Sequence, residues 1–162
     1  MGARSPLFLL LVLLFLAILQ TVFYYPQLPN IIASHFAANG EANGWSSKQA
    51  FFLIYFAVLS LLLGVFLFLP LVLPRLPVSL INLPNRTYWL AAERKEQTLQ
   101  FVRDRMWRAG AATMSFLIAT FQLVIQANLR PEKRLSSTMW VLVGVYVLFI
   151  GRWVQGFHKR FR

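Results

Sequence analysis

The sequence predicts an all-α integral membrane protein with four transmembrane helices, a structured extracytoplasmic loop and a basic cytoplasmic helix. Three observations predict this class: the composition, four long apolar runs, and an uneven distribution of basic residues around those runs. Of the 162 residues, 58% are hydrophobic and only 13% are charged, whereas a soluble domain carries roughly 25% charged residues. These few polar residues are not enough to cover the surface of a soluble domain. The chain is therefore expected to lie in a bilayer.

Four apolar runs approach the length of about 20 residues that a helix needs to cross the hydrocarbon core. The first, residues 7–24, is almost purely Leu, Phe, Val and Ile, and no small-residue cleavage site follows it, which favours a retained helix over a signal peptide. The second, residues 50–69, ends where Pro70 interrupts helix propagation. The third, residues 109–127, contains several polar side chains, and the fourth, residues 138–154, leads into a basic tail.

The positions of Lys and Arg predict the orientation of these helices. The N-terminal segment carries one, the second loop seven and the C-terminal tail four, twelve in all, whereas the first and third loops carry one and three, four in all. Cytoplasmic segments are the ones enriched in Lys and Arg. Both termini are therefore expected in the cytoplasm, and the first loop, residues 25–49, is expected to face outward.

The chain divides into three predicted units. Residues 1–73 form a membrane hairpin around the outward loop, residues 74–108 a cytoplasmic loop with an amphipathic helix, and residues 109–162 a second membrane hairpin with a basic tail. The amphipathic helix carries an apolar stripe formed by Leu99, Val102 and Met106. The stripe is expected to rest on anionic lipid, and the alternative is that it docks a cytoplasmic protein partner. Nucleic-acid binding is not expected, because no recognition motif accompanies the basic residues.

Turn-forming residues indicate that the outward loop is structured. Asn39-Gly40 and Asn43-Gly44 both favour tight turns, because Asn and Gly tolerate a positive φ. Residues 30–36 fit either a short strand or a turn of surface helix. Ser46 or Ser47 is expected to cap the first turn of the second span, and Trp45 is expected at the membrane interface.

The same loop carries a longer motif, which consists of Leu28-Pro29, His35-Phe36, Gly40, Asn43-Gly44-Trp45 and Lys48. The motif resembles the signature of a bacterial membrane-domain family of unknown function, whose domain forms the N-terminal part of SdpI-type immunity proteins. The resemblance is tight over residues 23–48 and looser through the second span, and residues 82–106 also resemble the segment that follows in stand-alone members. Asn43 stands where the family more often has an acidic residue. The C-terminal half does not resemble the second domain of SdpI-type proteins.

The resemblance implies a multi-pass protein of the bacterial inner membrane that binds or neutralises a secreted toxic peptide, or that sequesters a repressor at the membrane. The ligand-binding or loop-shaping residues are then expected to be His35, Phe36, Asn43, Gly44, Trp45 and Lys48. For His35 there is a structural alternative, in which its ring packs on the loop and bonds a turn carbonyl.

Two amides interrupt the third apolar run. Gln122 and Gln126 lie four residues apart and therefore on one helix face. Because an unpaired amide in hydrocarbon costs several kcal/mol, both are expected to face other helices and to hold them together. The alternative is a polar pathway through a small transporter or channel subunit. No acid or base lies inside a span, which argues against proton coupling.

No catalytic motif is present, and neither a cofactor nor a metal site is expected. Residues 39–44 resemble the opening of a calcium loop, but Ala50 occupies the position of the closing carboxylate. The sequence thus predicts a non-enzymatic protein that recognises an extracytoplasmic peptide or envelope component in immunity or signalling. The alternatives are a small transporter or channel subunit, or a structural membrane assembly partner. No GxxxG motif lies within an apolar run to specify an oligomer.

Overall fold

Helices account for 75% of the structure. The structure is a computed structural model that describes residues 4–162, with side chains from residue 8 onward, so the first three residues of the predicted unit 1–73 lie outside the described part. In chain order the elements are α1 (Arg4–Tyr24), β1 (Ile31–Phe36), β2 (Ala42–Ser47), α2 (Lys48–Leu63), α3 (Leu69–Val72), α4 (Arg86–Trp89), α5 (Ala92–Leu129) and α6 (Thr138–Phe161).

Four apolar segments are long enough to cross a membrane, namely Phe8–Gln27, Lys48–Arg75, Ala92–Leu129 and Thr138–Phe161. The predicted multi-pass membrane protein with four spans is confirmed at this level. The bundle has two ends. We call residues 25–49 and 130–137 the hairpin end, and residues 73–108 and 152–162 the basic end.

The prediction of an all-α protein is incomplete, because the first loop folds as an antiparallel hairpin of β1 and β2. Ile31 pairs with Ser47, Ala33 with Trp45 and His35 with Gly44, and the register shifts on either side of His35. The choice between a strand and a surface helix for residues 30–36 is thus resolved as a strand. The cap predicted at Ser46 or Ser47 is confirmed at Ser47, since its hydroxyl accepts a hydrogen bond from Ala50 N at 3.2 Å.

The helix of the second span widens into a π-helical turn at Gly64–Phe68 before it continues as α3. Pro70 explains the change of helix type. Its ring would collide with the carbonyl of Phe66 in a regular α-helix, and it has no N–H to donate there. A wider turn removes that conflict without ending the helix. The span therefore continues past Leu69, where the sequence predicted it to stop.

One continuous helix, α5, crosses the boundary between the second and third predicted units. Its 38 residues rise about 57 Å at 1.5 Å per residue, which is nearly twice the hydrocarbon thickness of about 30 Å. The predicted amphipathic helix and the third span are therefore one rigid element.

The main core lies where α1, α2 and α5 meet. Two stacked aromatic rings mark its centre, since the Tyr55 and Phe121 centroids lie 3.5 Å apart with planes inclined by 7°. Other buried members are Leu10, Leu13, Ala17, Phe51, Phe52, Leu59, Trp107, Met114 and Ile125. In contrast, α6 packs mainly beside α5, through a hydrogen bond of 2.9 Å between the Thr113 and Tyr146 hydroxyls and a stack of Phe116 on Tyr146.

A second, smaller core lies at the basic end. The residues buried in it are Leu73, Ile81, Leu83, Leu90, Leu99, Val102 and Phe161. Leu99 and Val102 are thus covered by protein, and Met106 packs against them. The prediction that this stripe rests on lipid is wrong, because the segment between α2 and α5 folds back over it together with the C-terminal Phe161.

Candidate functional site

The hairpin is fixed to the bundle by one buried amide at the end of α5. Asn128 accepts a hydrogen bond from Ala33 N at 2.8 Å, donates one to Ala33 O at 2.9 Å and donates another to Val124 O at 3.0 Å. Asn128 is only 4% exposed. It therefore satisfies the outer edge of β1 as a neighbouring strand would, and leaves no buried backbone group unpaired there.

The loop between α5 and α6 holds the tip of the hairpin. Leu135 N donates to Gly40 O at 2.8 Å, and the Arg134 guanidinium donates twice to Asn39 O, at 3.2 and 3.0 Å. Gly40 has a φ of +84°, and a Cβ atom there would lie 2.5 Å from Leu135 O. The tip thus requires glycine both for its backbone conformation and for this close approach.

A cleft of about 840 Å³ opens between this tip and the start of α6. We call it the tip cleft. Its wall combines aromatic rings with charged side chains of both signs, and the residues that characterise it are Phe36, Trp140, Arg130, Glu132 and Arg134. The Trp140 ring is 60% exposed, although its Nε1 donates to Ala38 O at 3.4 Å. Apolar ring faces beside guanidinium groups suit an amphipathic ligand that carries an acidic group.

Of the predicted set, only Phe36 lines the tip cleft. His35, the next residue of the same strand, is exposed, and its Nδ1 lies 3.1 Å from the Ser34 hydroxyl instead of bonding a turn carbonyl. The His35 side chain lies against Gly44, where a Cβ atom would approach His35 Cβ to 2.9 Å. This contact gives the pair a structural role in which a bulky residue on one strand requires glycine on the other.

The other predicted loop residues lie outside the tip cleft. Lys48 is a structural clamp, because its Nζ donates to Tyr25 O at 3.1 Å and to Leu28 O at 2.9 Å. Trp45 is 52% exposed, and Lys133 Nζ lies 5.1 Å from its ring centroid.

Asn43 is exposed and is the second residue of β2, so the turn predicted at Asn43-Gly44 is wrong, whereas the turn at Asn39-Gly40 is present. An edge-paired strand tolerates Asn and Gly when the cross-strand residue, here His35, fills the space above the glycine.

The intramembrane glutamines are separated by the structure. Gln122 accepts a hydrogen bond from Gln20 Nε2 at 2.8 Å, and Tyr55 donates to Gln20 Oε1 at 3.0 Å. These three side chains, which we call the polar triad, connect α5, α1 and α2. Gln126 is exposed and stands apart from them, so the expectation that both glutamines face other helices holds only for Gln122.

Four residues that shape these sites were not singled out by the sequence analysis: Gln20, Asn128, Arg134 and Trp140. Gln20 is the one amide side chain within residues 7–24, which is the signal for a partner in another helix. Asn128 follows the last apolar turn of α5, where its burial depends on a hairpin almost a hundred residues away in the chain. For it, the local sequence offers no signal.

Within residues 4–162, no group of three or more His, Asp or Glu side chains is arranged to hold a metal ion. The calcium-loop pattern at residues 39–44 is accounted for by the hairpin tip, where Asn39 Oδ1 accepts from Glu41 N at 3.0 Å.

Part of the chain matches a protein-family model. Residues 12–59 match the model of a domain of unknown function (DUF1648). The matched segment comprises most of α1, the whole hairpin and the first part of α2, and therefore excludes the α5–α6 loop that forms the other wall of the tip cleft. Neither a curated protein nor a solved structure matches the chain.

Proposed function

We propose that this DUF1648-containing membrane protein is a non-enzymatic receptor that recognises an extracytoplasmic peptide or envelope component through the tip cleft. The observation that carries the proposal is the cleft itself, where Phe36 and Trp140 lie beside Arg130 and Arg134 in a volume of about 840 Å³. Such a volume is within the range of roughly 300 to 1,000 Å³ that small ligands occupy. It accommodates a few residues of a peptide.

The proposed orientation places the hairpin end outside the cell and both termini in the cytoplasm of a bacterial inner membrane. Charge supports it. The basic end carries eleven Lys and Arg against three acidic residues, whereas the hairpin end carries four, namely Lys48, Arg130, Lys133 and Arg134, against Glu41 and Glu132. A strong excess of basic residues is retained on the cytoplasmic side during insertion.

The chemistry of the tip cleft favours a ligand with an apolar side chain next to a carboxylate. The exposed ring of Trp140 offers an apolar face without the entropy cost of a long flexible chain. Arg134 uses two donors on Asn39 O and retains others, because a guanidinium carries five. The resemblance to SdpI-type immunity proteins supports the more specific proposal that the ligand is a secreted toxic peptide, with immunity or signalling as the outcome of binding.

The transporter alternative is less well supported. A polar pathway requires amides that can exchange partners with a solute or water, whereas the side chains of the polar triad are already bonded to one another at 2.8 and 3.0 Å. Paired in this way, they act as an interhelical contact within hydrocarbon.

The proposal is tested by protection of cells. A strain that lacks the protein, complemented with the wild type or with Trp140→Ala, is grown in spent medium from strains that secrete toxic peptides. Trp140→Ala is expected to lose protection at unchanged membrane abundance, while Phe15→Ala, which removes a 58% exposed ring on α1, keeps it. Equal protection by all variants, or none by the wild type in any medium, would contradict peptide recognition at the tip cleft.

A further inference from the structure

A second cleft, of about 450 Å³, lies between α5 and α6 where both helices enter the basic end. Three arginines line it: Arg105, Arg108 and Arg152. Apolar residues also line it, and we call two of them, Val145 and Leu148, its apolar floor; they are 61% and 64% exposed. We call this the arginine cleft. It lies at the opposite end of the molecule from the tip cleft, and the proposed receptor function does not use it.

Arg105 builds the arginine cleft instead of serving as a free charge in it. One of its terminal nitrogens donates to Trp153 O at 2.8 Å, and Trp153 Nε1 donates to Arg105 O at 3.0 Å, so the two residues clamp α5 to α6. Gly156 leaves the space that the guanidinium occupies, since a Cβ atom there would collide with it. The spacing of the helices at the cleft is therefore fixed.

The two other arginines, Arg108 and Arg152, are exposed. Among the side-chain hydrogen bonds and ring contacts of the described residues, none involves Arg108 or Arg152. Both stand on the rigid walls that Arg105 holds together, on either side of the same opening. Two unpaired guanidinium groups that line one cleft suit an anion such as phosphate, because each guanidinium can donate two parallel hydrogen bonds to it.

The position of the arginine cleft relative to the bilayer favours a lipid as the source of the phosphate. Arg108 precedes the hairpin anchor Asn128 by twenty residues of the same helix, a rise of about 30 Å at 1.5 Å per residue, and the hydrocarbon core is about 30 Å thick. With the hairpin at one membrane surface, Arg108 lies at the other. The floor at Val145 and Leu148 then borders the acyl chains.

We propose that the arginine cleft binds the headgroup of an anionic phospholipid. The phosphate lies between Arg108 and Arg152, and one acyl chain follows Val145 and Leu148 along α6. A soluble phosphate would use only the arginines, whereas a lipid also covers the apolar floor. Basic pockets between transmembrane helices at the membrane surface suit such headgroups.

The test uses the full-length protein in detergent, with retained lipid counted by native mass spectrometry. Phosphatidylglycerol is titrated against the wild type, against an Arg108→Gln/Arg152→Gln double variant, and against an Arg75→Gln/Lys159→Gln control that removes the same charge from exposed positions at the same end. The cleft variant is expected to bind phosphatidylglycerol about tenfold more weakly, while the control stays within about twofold and phosphatidylcholine binds none of the three tightly.

An equal loss of phosphatidylglycerol affinity in both double variants would indicate diffuse electrostatic attraction and contradict the site. An unchanged affinity in both would also contradict the site. Displacement of the lipid by an equimolar amount of inorganic phosphate would show a site for free anions and also contradict the proposal. A second measurement uses the wild type alone, so that misfolding of a variant does not affect its outcome. A photoactivatable phosphatidylglycerol with its reactive group in the acyl chain should crosslink to residues 145–149, and crosslinks spread over all four spans would reject the site.

Discussion

At the residue scale, Asn128 unites the hairpin with the helical bundle. An asparagine side chain presents a donor and an acceptor at the same spacing as a peptide group, so it can pair with both backbone groups of Ala33. Since β1 has β2 on one side only, this amide completes the pairing on the other side.

Asn128→Ala is expected to lower the free energy of unfolding by about 2 to 4 kcal/mol, because it leaves Ala33 N and O buried without partners. The measurement is thermal unfolding in detergent. Asn43→Ala, the same change at an exposed position, serves as the control and should stay within about 0.5 kcal/mol of the wild type. Equal stability of the two variants would show that Asn128 does not hold the hairpin.

The His35–Gly44 contact is a second feature at this scale. Gly44→Ala is expected to destabilise the protein by about 1 to 3 kcal/mol, because the new methyl group overlaps His35. His35→Gly removes the obstructing Cβ as well as the ring, although it weakens β1 on its own.

The two changes are therefore expected to be non-additive. A double-mutant cycle should give a coupling energy of about 1 kcal/mol that favours the double variant, measured by unfolding in detergent. Strict additivity would mean that Gly44 is required for its backbone alone, and that the histidine and the glycine occur together for a reason other than their contact.

At the scale of elements, α5 connects every other part of the molecule. Its last turn carries the hairpin, its middle packs on α1 and α2, and its first turns cover the second core. Because α5 is one continuous helix from Ala92 to Leu129, the contacts at both ends of the molecule involve the same element.

The polar triad is a hydrogen-bonded contact that joins α1 and α2 to α5 within the membrane. Gln122→Leu is expected to cost about 1 kcal/mol of stability, the usual contribution of one hydrogen bond between transmembrane helices. Gln126→Leu, the same change one turn further along α5 at an exposed position, should be neutral or slightly stabilising. The measurement is the melting temperature of each variant in detergent. A larger decrease for Gln126→Leu than for Gln122→Leu would contradict the structure.

At the scale of the whole molecule, the two ends differ in architecture as well as in charge. The hairpin end is a small sheet buttressed by one loop, and the basic end is a second core of folded-back segments. We expect the two ends to lie on opposite sides of the bilayer, because the apolar helices between them are long enough to cross it.

The protein contains no cysteine, which permits a direct test of orientation. Ala42→Cys, in β2, is expected to react with a membrane-impermeant maleimide in intact cells, whereas Gln97→Cys, on the exposed side of α5, is expected to react only after the cells are opened. The reverse pattern would place the hairpin in the cytoplasm and overturn recognition of an extracytoplasmic ligand.

Local features of the sequence predict the membrane class, the four spans, a serine cap at Ser46 or Ser47 and the turn at Asn39-Gly40. These features depend on local chemistry: the length of an apolar run, a hydroxyl at a helix start, a residue pair that tolerates positive φ. Local chemistry also misled at Asn43-Gly44, where cross-strand packing with His35 outweighs the preference for a turn.

Packing between distant segments of the chain decides which polar side chains are hydrogen-bonded and which surfaces remain open. Asn128 and Ala33 are distant in the chain, as are Gln20 and Gln122, and hydrophobic periodicity carries no signal about such pairs. The apolar stripe at Leu99 looked like a lipid-facing surface because its cover comes from separate segments of the chain. Each cleft is lined by elements that are separate in the chain and meet only in the folded protein. The clefts therefore follow from packing and not from any single motif.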